Sequence, residues 1–259
     1  HRAFTVTESR NMAAERCVEI TRKDGTRVTG RIREGDGPTL VLIPGTWGNL
    51  STRGPLMKRL DSSLRIVNVA LPGQDDNWPP PEHPSIPEFS EDVMRLADVI
   101  GIKQFVVGGN SLGGMISVDM LRFAPDRVIG AIPIEGWTRS SVSKEAFGDN
   151  VQGCLTEKQR EFLEEVRHEL LDRWDPELRR RYSSVWHQWD GWDILNASEV
   201  PVLEIWGDRG QPRPSRDVMA VPDRPNIELQ WIAGCSHSLL VEAPETLAEL
   251  INKFMREFA

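Results

Sequence analysis

Short apolar runs that alternate with stretches of helical periodicity constrain this chain more than any other feature. Thr39-Leu40-Val41-Leu42-Ile43 is apolar almost throughout, as a strand buried on both faces has to be. Further strands are read at 65–70, 104–108, 128–134, 202–206 and 227–232, with helices at 54–62, 88–101, 112–123 and 243–258. Residues 17–20 and 27–33 form an opening antiparallel pair around the turn Lys23-Asp24-Gly25. Alternation of this kind predicts an α/β architecture, a mostly parallel sheet flanked by helices on both faces.

One block breaks the pattern. Residues 138–198 have helical spacing but lie between two sheet strands, at 128–134 and 202–206. Thr156 stands three residues before Gln159, a capping box that opens a helix towards Arg173, and Asp175-Pro176-Glu177 opens another towards Trp186. An insertion there lies over the carboxyl ends of the strands, where open α/β sheets place their ligands. The expected division is a core of 1–137 and 199–259 with a helical lid at 138–198.

Composition excludes several classes of function. Thirty-one Lys and Arg against 39 Asp and Glu give a net charge of −8 and a pI near 5.3, with no basic footprint for nucleic acid or an anionic membrane. The cluster Arg179-Arg180-Arg181 reads as a solvated helix face. No apolar run approaches the ~18–20 residues that cross a bilayer. Cys17, Cys154 and Cys235 lie far apart in sequence without a CxxC pair, which argues against a disulfide framework or a zinc site and suits a reducing compartment. The chain starts at His1 rather than Met, which reads as a trimmed end, and the expected location is the cytoplasm.

Gly109-Asn110-Ser111-Leu112-Gly113 carries the chemistry. It is a GxSxG sequence between a strand and a helix, where the glycines allow a strained turn that exposes the serine hydroxyl at a helix N-terminus. A hydroxyl needs a base to become a nucleophile. Among five histidines, His237 alone follows the last sheet strand and precedes the closing helix, on the same face as Ser111. A carboxylate must then fix the imidazole, and two keep the chain order serine, acid, histidine: Glu135, after the strand at 128–134, and Asp208, after the strand at 202–206. Two backbone N–H groups must face the oxyanion. They are read as those of Leu112 and of Thr46, in the loop Pro44-Gly45-Thr46-Trp47-Gly48.

From about residue 17 onward the chain resembles the α/β-hydrolase family, on that loop, Leu71-Pro72-Gly73, the GxSxG elbow, and His237 followed by Glu242-Ala243-Pro244. The place where most members carry the acid is Gly210 here. Haloalkane dehalogenases are similar near Gly207, but their nucleophile is Asp where this chain has Ser111. The chain looks most like the zearalenone hydrolases, lactonases with a Ser–His–Glu triad. Pro125-Asp126-Arg127 and Ala131-Ile132-Pro133-Ile134-Glu135 look like the segment bearing their acid, Pro44 like the start of their oxyanion loop, and Val185-Trp186 like their substrate-touching lid position. That resemblance favours Glu135 over Asp208. The elbow residues and those after Glu135 depart from it, so a different ring or acyl group stays open.

The reading is a cofactor-free serine hydrolase that also needs no metal, acting on a carboxylic ester and more specifically a lactone. Nine tryptophans weigh on the substrate. Trp206 and Trp231 end strands and belong to the core. Trp186, with Trp47, Trp137 and Trp189, is read as wall for an apolar or aromatic substrate. A general carboxylesterase, a carbon–carbon bond hydrolase or lyase on the same triad, and a ligand receptor are the alternatives. A homodimer is compatible with all of them.

Overall fold

The computed structural model describes residues 5–10, 16–22, 24–148 and 153–259. His1 and Lys23 lie outside them. Among the described residues the strands are β1 (Thr5–Arg10), β2 (Arg16–Thr21), β3 (Arg27–Arg33), β4 (Thr39–Ile43), β5 (Arg65–Ala70), β6 (Phe105–Asn110), β7 (Val128–Ile134), β8 (Val202–Gly207) and β9 (Ile227–Ile232). They form one sheet in the order β1-β2-β3-β5-β4-β6-β7-β8-β9. The pairings from β1 to β3 and of β3 with β5 are antiparallel, and the rest are parallel.

Period-two alternation explains the unbroken apolar runs. Val41 and Ile43 of β4 pack on one side, with Phe89, Val93 and Leu96 of α2 (Ile86–Ile100) and Met115 and Ile116 of α3 (Leu112–Asp119). Leu40 and Leu42 pack on the other, with Leu56 of α1 (Leu50–Met57) and Leu247, Ile251 and Phe254 of α9 (Pro244–Met255). A strand covered on both faces has no solvent side on which to place polar residues.

Helix limits follow their caps. The helix read at 54–62 begins instead at Leu50, because the Asn49 side chain accepts from Thr52 N–H at 3.0 Å and stops at Met57. Ser85 caps α2 at its start, and Gly101, at φ 80°, closes it. The closing helix gives way at Arg256 to a 3₁₀ turn. Strand β1 and the short helix α8 (Leu239–Glu242) carry no periodic signal that the sequence reading used.

Between β7 and β8 run α4 (Val142–Phe147), α5 (Glu157–Leu171), α6 (Pro176–Ser183) and α7 (Trp192–Ala197). The capping box at Thr156 is present, with Gln159 N–H donating to Thr156 Oγ1 at 3.3 Å and Thr156 N–H to Gln159 Oε1 at 2.9 Å. The insertion is fastened to the body by aromatic residues. Tyr182 is buried and donates to Pro72 O at 2.9 Å, while Trp174 meets Trp47 edge-on at 5.3 Å between ring centroids. No helix of the described residues is long and apolar enough to cross a membrane.

A buried carboxyl in β8 sets a pH dependence. Glu204 is fully buried, its Oε2 accepts from Trp206 Nε1 at 3.1 Å, and its Oε1 has no partner among the described residues. Burial, with the nearby Glu135 charge adding to it, pushes the Glu204 carboxyl from 4.5 up to about 8, against the opposing pull of Trp206 and Arg216. The folded state therefore holds this proton more tightly than the unfolded chain. Its stabilising effect is complete below pH ~4.5 and is lost as pH rises through about 8. Glu204→Gln keeps an acceptor for Trp206 and removes the titration. Thermal unfolding across pH is expected to show a rise of several degrees in Tm at pH ~9 and little change at pH ~5.

Candidate active site

Ser111 sits at the turn from β6 into α3 with φ 54° and ψ −119°, a conformation side-chain-bearing residues avoid. Two glycines make the turn sterically feasible. A Cβ at Gly109 would lie 2.4 Å from Ile43 O, and one at Gly113 would lie 2.3 Å from the same atom. The elbow is thus pressed against the end of β4, and Ser111 N–H donates to Ile134 O of β7 at 2.8 Å.

Glu135 follows β7, also at positive φ (51°), and is fully buried. Its Oε2 lies 3.2 Å from His237 Nδ1. The same carboxylate receives Gly207 N–H at 2.7 Å and both terminal nitrogens of Arg209 at 2.6 Å, one on each oxygen. The Arg209 guanidinium in turn lies 3.8 Å from the ring centre of Phe147. His237 is stacked on Trp137, with ring centroids 5.1 Å apart and planes 13° apart.

Asp208 is placed differently. Its Oδ1 accepts from Gly210 N–H at 2.9 Å and Gly234 N–H at 2.8 Å, so it ties the loop after β8 to the loop after β9. Desolvation raises its carboxyl, but those two N–H groups and Arg213 outweigh it and hold the group below its ordinary value. Among the described residues it makes no hydrogen bond to His237. Gly207 lets the two loops touch, since a Cβ there would sit 2.3 Å from Cys235 O.

Thr46 and Leu112 flank Ser111 from the β4 loop and the start of α3. Neither backbone N–H has a hydrogen-bond partner among the described residues. Gln74 holds the β4 loop from behind. It is buried, accepts Leu71 N–H at 3.1 Å, and donates to Gly45 O at 2.7 Å and Thr46 O at 3.1 Å.

Ser111 and His237 open into a cavity of about 440 Å³ that Thr46, Trp47, Trp137 and Trp186 also line. Trp189 does not reach it. Its Nε1 donates to the buried Asp119 at 3.1 Å, which fastens the insertion to α3, so the expectation of Trp189 as substrate wall is corrected to an anchor. Trp206 is buried and Trp231 half-buried, meeting Phe147 at 6.4 Å. Of the basic cluster, Arg179 is not merely solvated: it donates to Trp174 O at 3.0 Å and Leu171 O at 2.6 Å, closing the carboxyl end of α5.

The sequence reading missed Arg209, Gln74 and one face of α5. Arg209 gave a faint signal, as a cation directly after the strand whose loop often carries an acid. Arg160, Leu163, Glu164 and Arg167 line the cavity at i, i+3, i+4 and i+7, a spacing readable as one helix face once the direction of that face is known.

A sheet of this order, with the serine at a strand-to-helix elbow and the histidine after the last strand, defines an α/β-hydrolase fold. Residues 40–250 match the model of the alpha/beta hydrolase family, and the chain belongs to that family. It is 28% identical over 249 residues to the dihydrolipoyllysine-residue acetyltransferase component of an acetoin cleaving system from Pseudomonas putida, covering 86% of this chain and 65% of that one, just under two thirds of its length. A pimeloyl-[acyl-carrier protein] methyl ester esterase from Aeromonas hydrophila is 23% identical, over 86% of this chain and 97% of its own. The enol-lactonase from Burkholderia xenovorans superposes with a TM-score of 0.74 at 19% identity, covering 90% of this chain and 98% of its own.

Proposed function

We propose that this chain is a serine hydrolase of carboxylic esters, with a lactone as the favoured substrate, and that Ser111, His237 and Glu135 are its triad. The observation that carries the reading is His237, 3.2 Å from a fully buried carboxylate on one side and open on the other to the cavity that holds the elbow serine. Ser111 Oγ attacks the carbonyl carbon while His237 Nε2 takes its proton, and the Nδ1 proton is held by Glu135. The N–H groups of Thr46 and Leu112 receive the oxyanion, aided by the positive end of α3. Collapse of the tetrahedral species breaks the ester C–O bond, and His237 protonates the departing alcohol. A water that gives its proton to His237 then attacks the acyl-enzyme, and the acid leaves as Ser111 regains its proton. With a lactone, alcohol and acid stay in one ring-opened molecule.

Mass spectrometry of zearalenone incubated with wild-type protein and with Ser111→Ala tests substrate and nucleophile together. A hydrated, ring-opened product from the wild type alone is expected. An intact lactone beside cleaved simple esters would remove the lactone preference and keep the esterase. Cleavage of diketones instead of esters would transfer the triad to carbon–carbon chemistry.

Gln74 is proposed to keep the oxyanion loop in register. Gln74→Ala leaves Leu71 N–H and Thr46 O without their partner and Gly45 O with Gly48 N–H alone, so stability is expected to fall by about 2–4 kcal/mol. Steady-state kinetics should show kcat lowered roughly tenfold or more, and KM changed less, because a displaced donor weakens the transition state more than the bound ester.

A further inference from the structure

One wall of the cavity, a face of α5, carries charges that ester hydrolysis does not use. Arg160, Leu163, Glu164 and Arg167 of α5 all line the cavity that contains Ser111. The same helix carries Glu157, Glu161, Glu165 and Glu169 at i, i+4 spacing, a second row made only of carboxylates. Like charges four residues apart destabilise a helix, so the row of four carboxylates owes nothing to helix stability, and both arginines of the helix fall in the cavity row with Glu164. The protein as a whole carries −8, which makes two arginines on the wall of its cavity the more conspicuous.

These arginines are not spent on the fold. Arg167 is exposed and makes no hydrogen bond or ion pair among the described residues. Among the described residues the Arg160 side chain makes one hydrogen bond, at 3.2 Å to Leu155 O, close to its own helix start. Glu164 lies between them and pairs with neither among the described residues, so the wall carries a net single positive charge. The same cavity is also lined by Trp47, Trp137, Trp186, Leu240 and Val241. An exposed cationic helix face beside an aromatic and aliphatic lining fits a molecule with an apolar body and one anionic end.

We infer that this site selects esters whose far end bears a carboxylate, held by Arg160 and Arg167 while the ester carbonyl meets Ser111. The inference rests on the ester-hydrolase reading for its geometry, and deepens it by naming the substrate class. Guanidinium groups give a carboxylate charge-assisted, two-pronged bonds, while the apolar walls accept the spacer between the two ends.

The test separates binding from turnover. Ser111→Ala protein is titrated by calorimetry with monomethyl suberate and with dimethyl suberate, which differ by one charge. At low salt the monoester is expected to bind about tenfold more tightly, with the preference reduced at ~0.5 M salt as screening shortens. Adding Arg160→Gln and Arg167→Gln should bring the two dissociation constants towards equality, and Arg→Lys at both positions should keep part of the difference. Both side chains are exposed, so the fold is expected to tolerate all four changes. Equal affinity for the two probes, no binding of either, or a preference that survives the double Gln variant overturns the inference. A preference intact in binding, beside a wild type that hydrolyses neither ester, would sink the ester-hydrolase reading and leave anion selection standing.

Discussion

Ser111→Ala is expected to reduce kcat by about 10⁴- to 10⁶-fold while leaving the folded protein almost unchanged. The hydroxyl is the bond-forming atom in the proposed reaction, and the residual rate comes from the oxyanion donors and the cavity alone. Nothing in the fold hangs on it. Ser111 at φ 54° is strained through its backbone, which alanine shares, so Tm should move by only a few degrees in either direction. A fluorophosphonate probe read by intact mass gives a second measure: one adduct on wild type, none on the variant. Wild-type protein that takes no adduct and cleaves no ester would overturn the serine mechanism. Equal labelling of both proteins would move the nucleophile elsewhere.

Glu135→Gln has the opposite profile, because it damages catalysis and stability together. The glutamine cannot stabilise an imidazolium, and kcat is expected to fall about 10⁴-fold. It also takes the ionised carboxylate from Arg209, whose side chain is 1% exposed and whose guanidinium is bonded to both carboxylate oxygens. Breaking a buried pair by removing one partner costs about 3–5 kcal/mol, which for a chain of this size is roughly a 10 °C fall in Tm. The pair Glu135→Leu with Arg209→Met should recover much of that stability and none of the activity, since it removes both buried charges of the pair together. Asp208→Asn, by contrast, loosens two loop N–H contacts and should leave turnover within about tenfold of wild type. Should Asp208→Asn lose more activity than Glu135→Gln, the acid assignment would have to be exchanged.

The sheet was legible because burial on both faces writes itself into composition. β4 and β7 are dominated by Val, Ile and Leu, and β6 opens with Phe105-Val106-Val107, so the limits of all three are legible to within a residue or two. Caps were nearly as clear: the Thr156 box specified the start of α5 without any tertiary information. The helix expected at 54–62 begins at Leu50 instead, because the Asn49 side chain caps it. The tryptophans show the limit of composition. Trp186 and Trp189 are three residues apart on one irregular segment, yet one faces the cavity and the other is bonded to Asp119 on α3. Nothing local separates them, because a 3₁₀ turn precedes Trp189 and no periodic face carries through.

Sequence alone therefore determined what local geometry enforces: a strained serine between two glycines, a histidine after the last strand, and a sheet that must be covered twice. Two carboxylates each stand just after a parallel strand, and at that level only the resemblance favours Glu135 over Asp208. Tertiary structure distinguished their surroundings, because β7 ends beside the loops after β8 and β9, where Glu135 meets His237, Arg209 and Gly207 N–H at once, while Asp208 turns to cap two loop amides. Contacts across 72 to 102 residues of chain arise from the order in which strands pack, and no window along the sequence contains them.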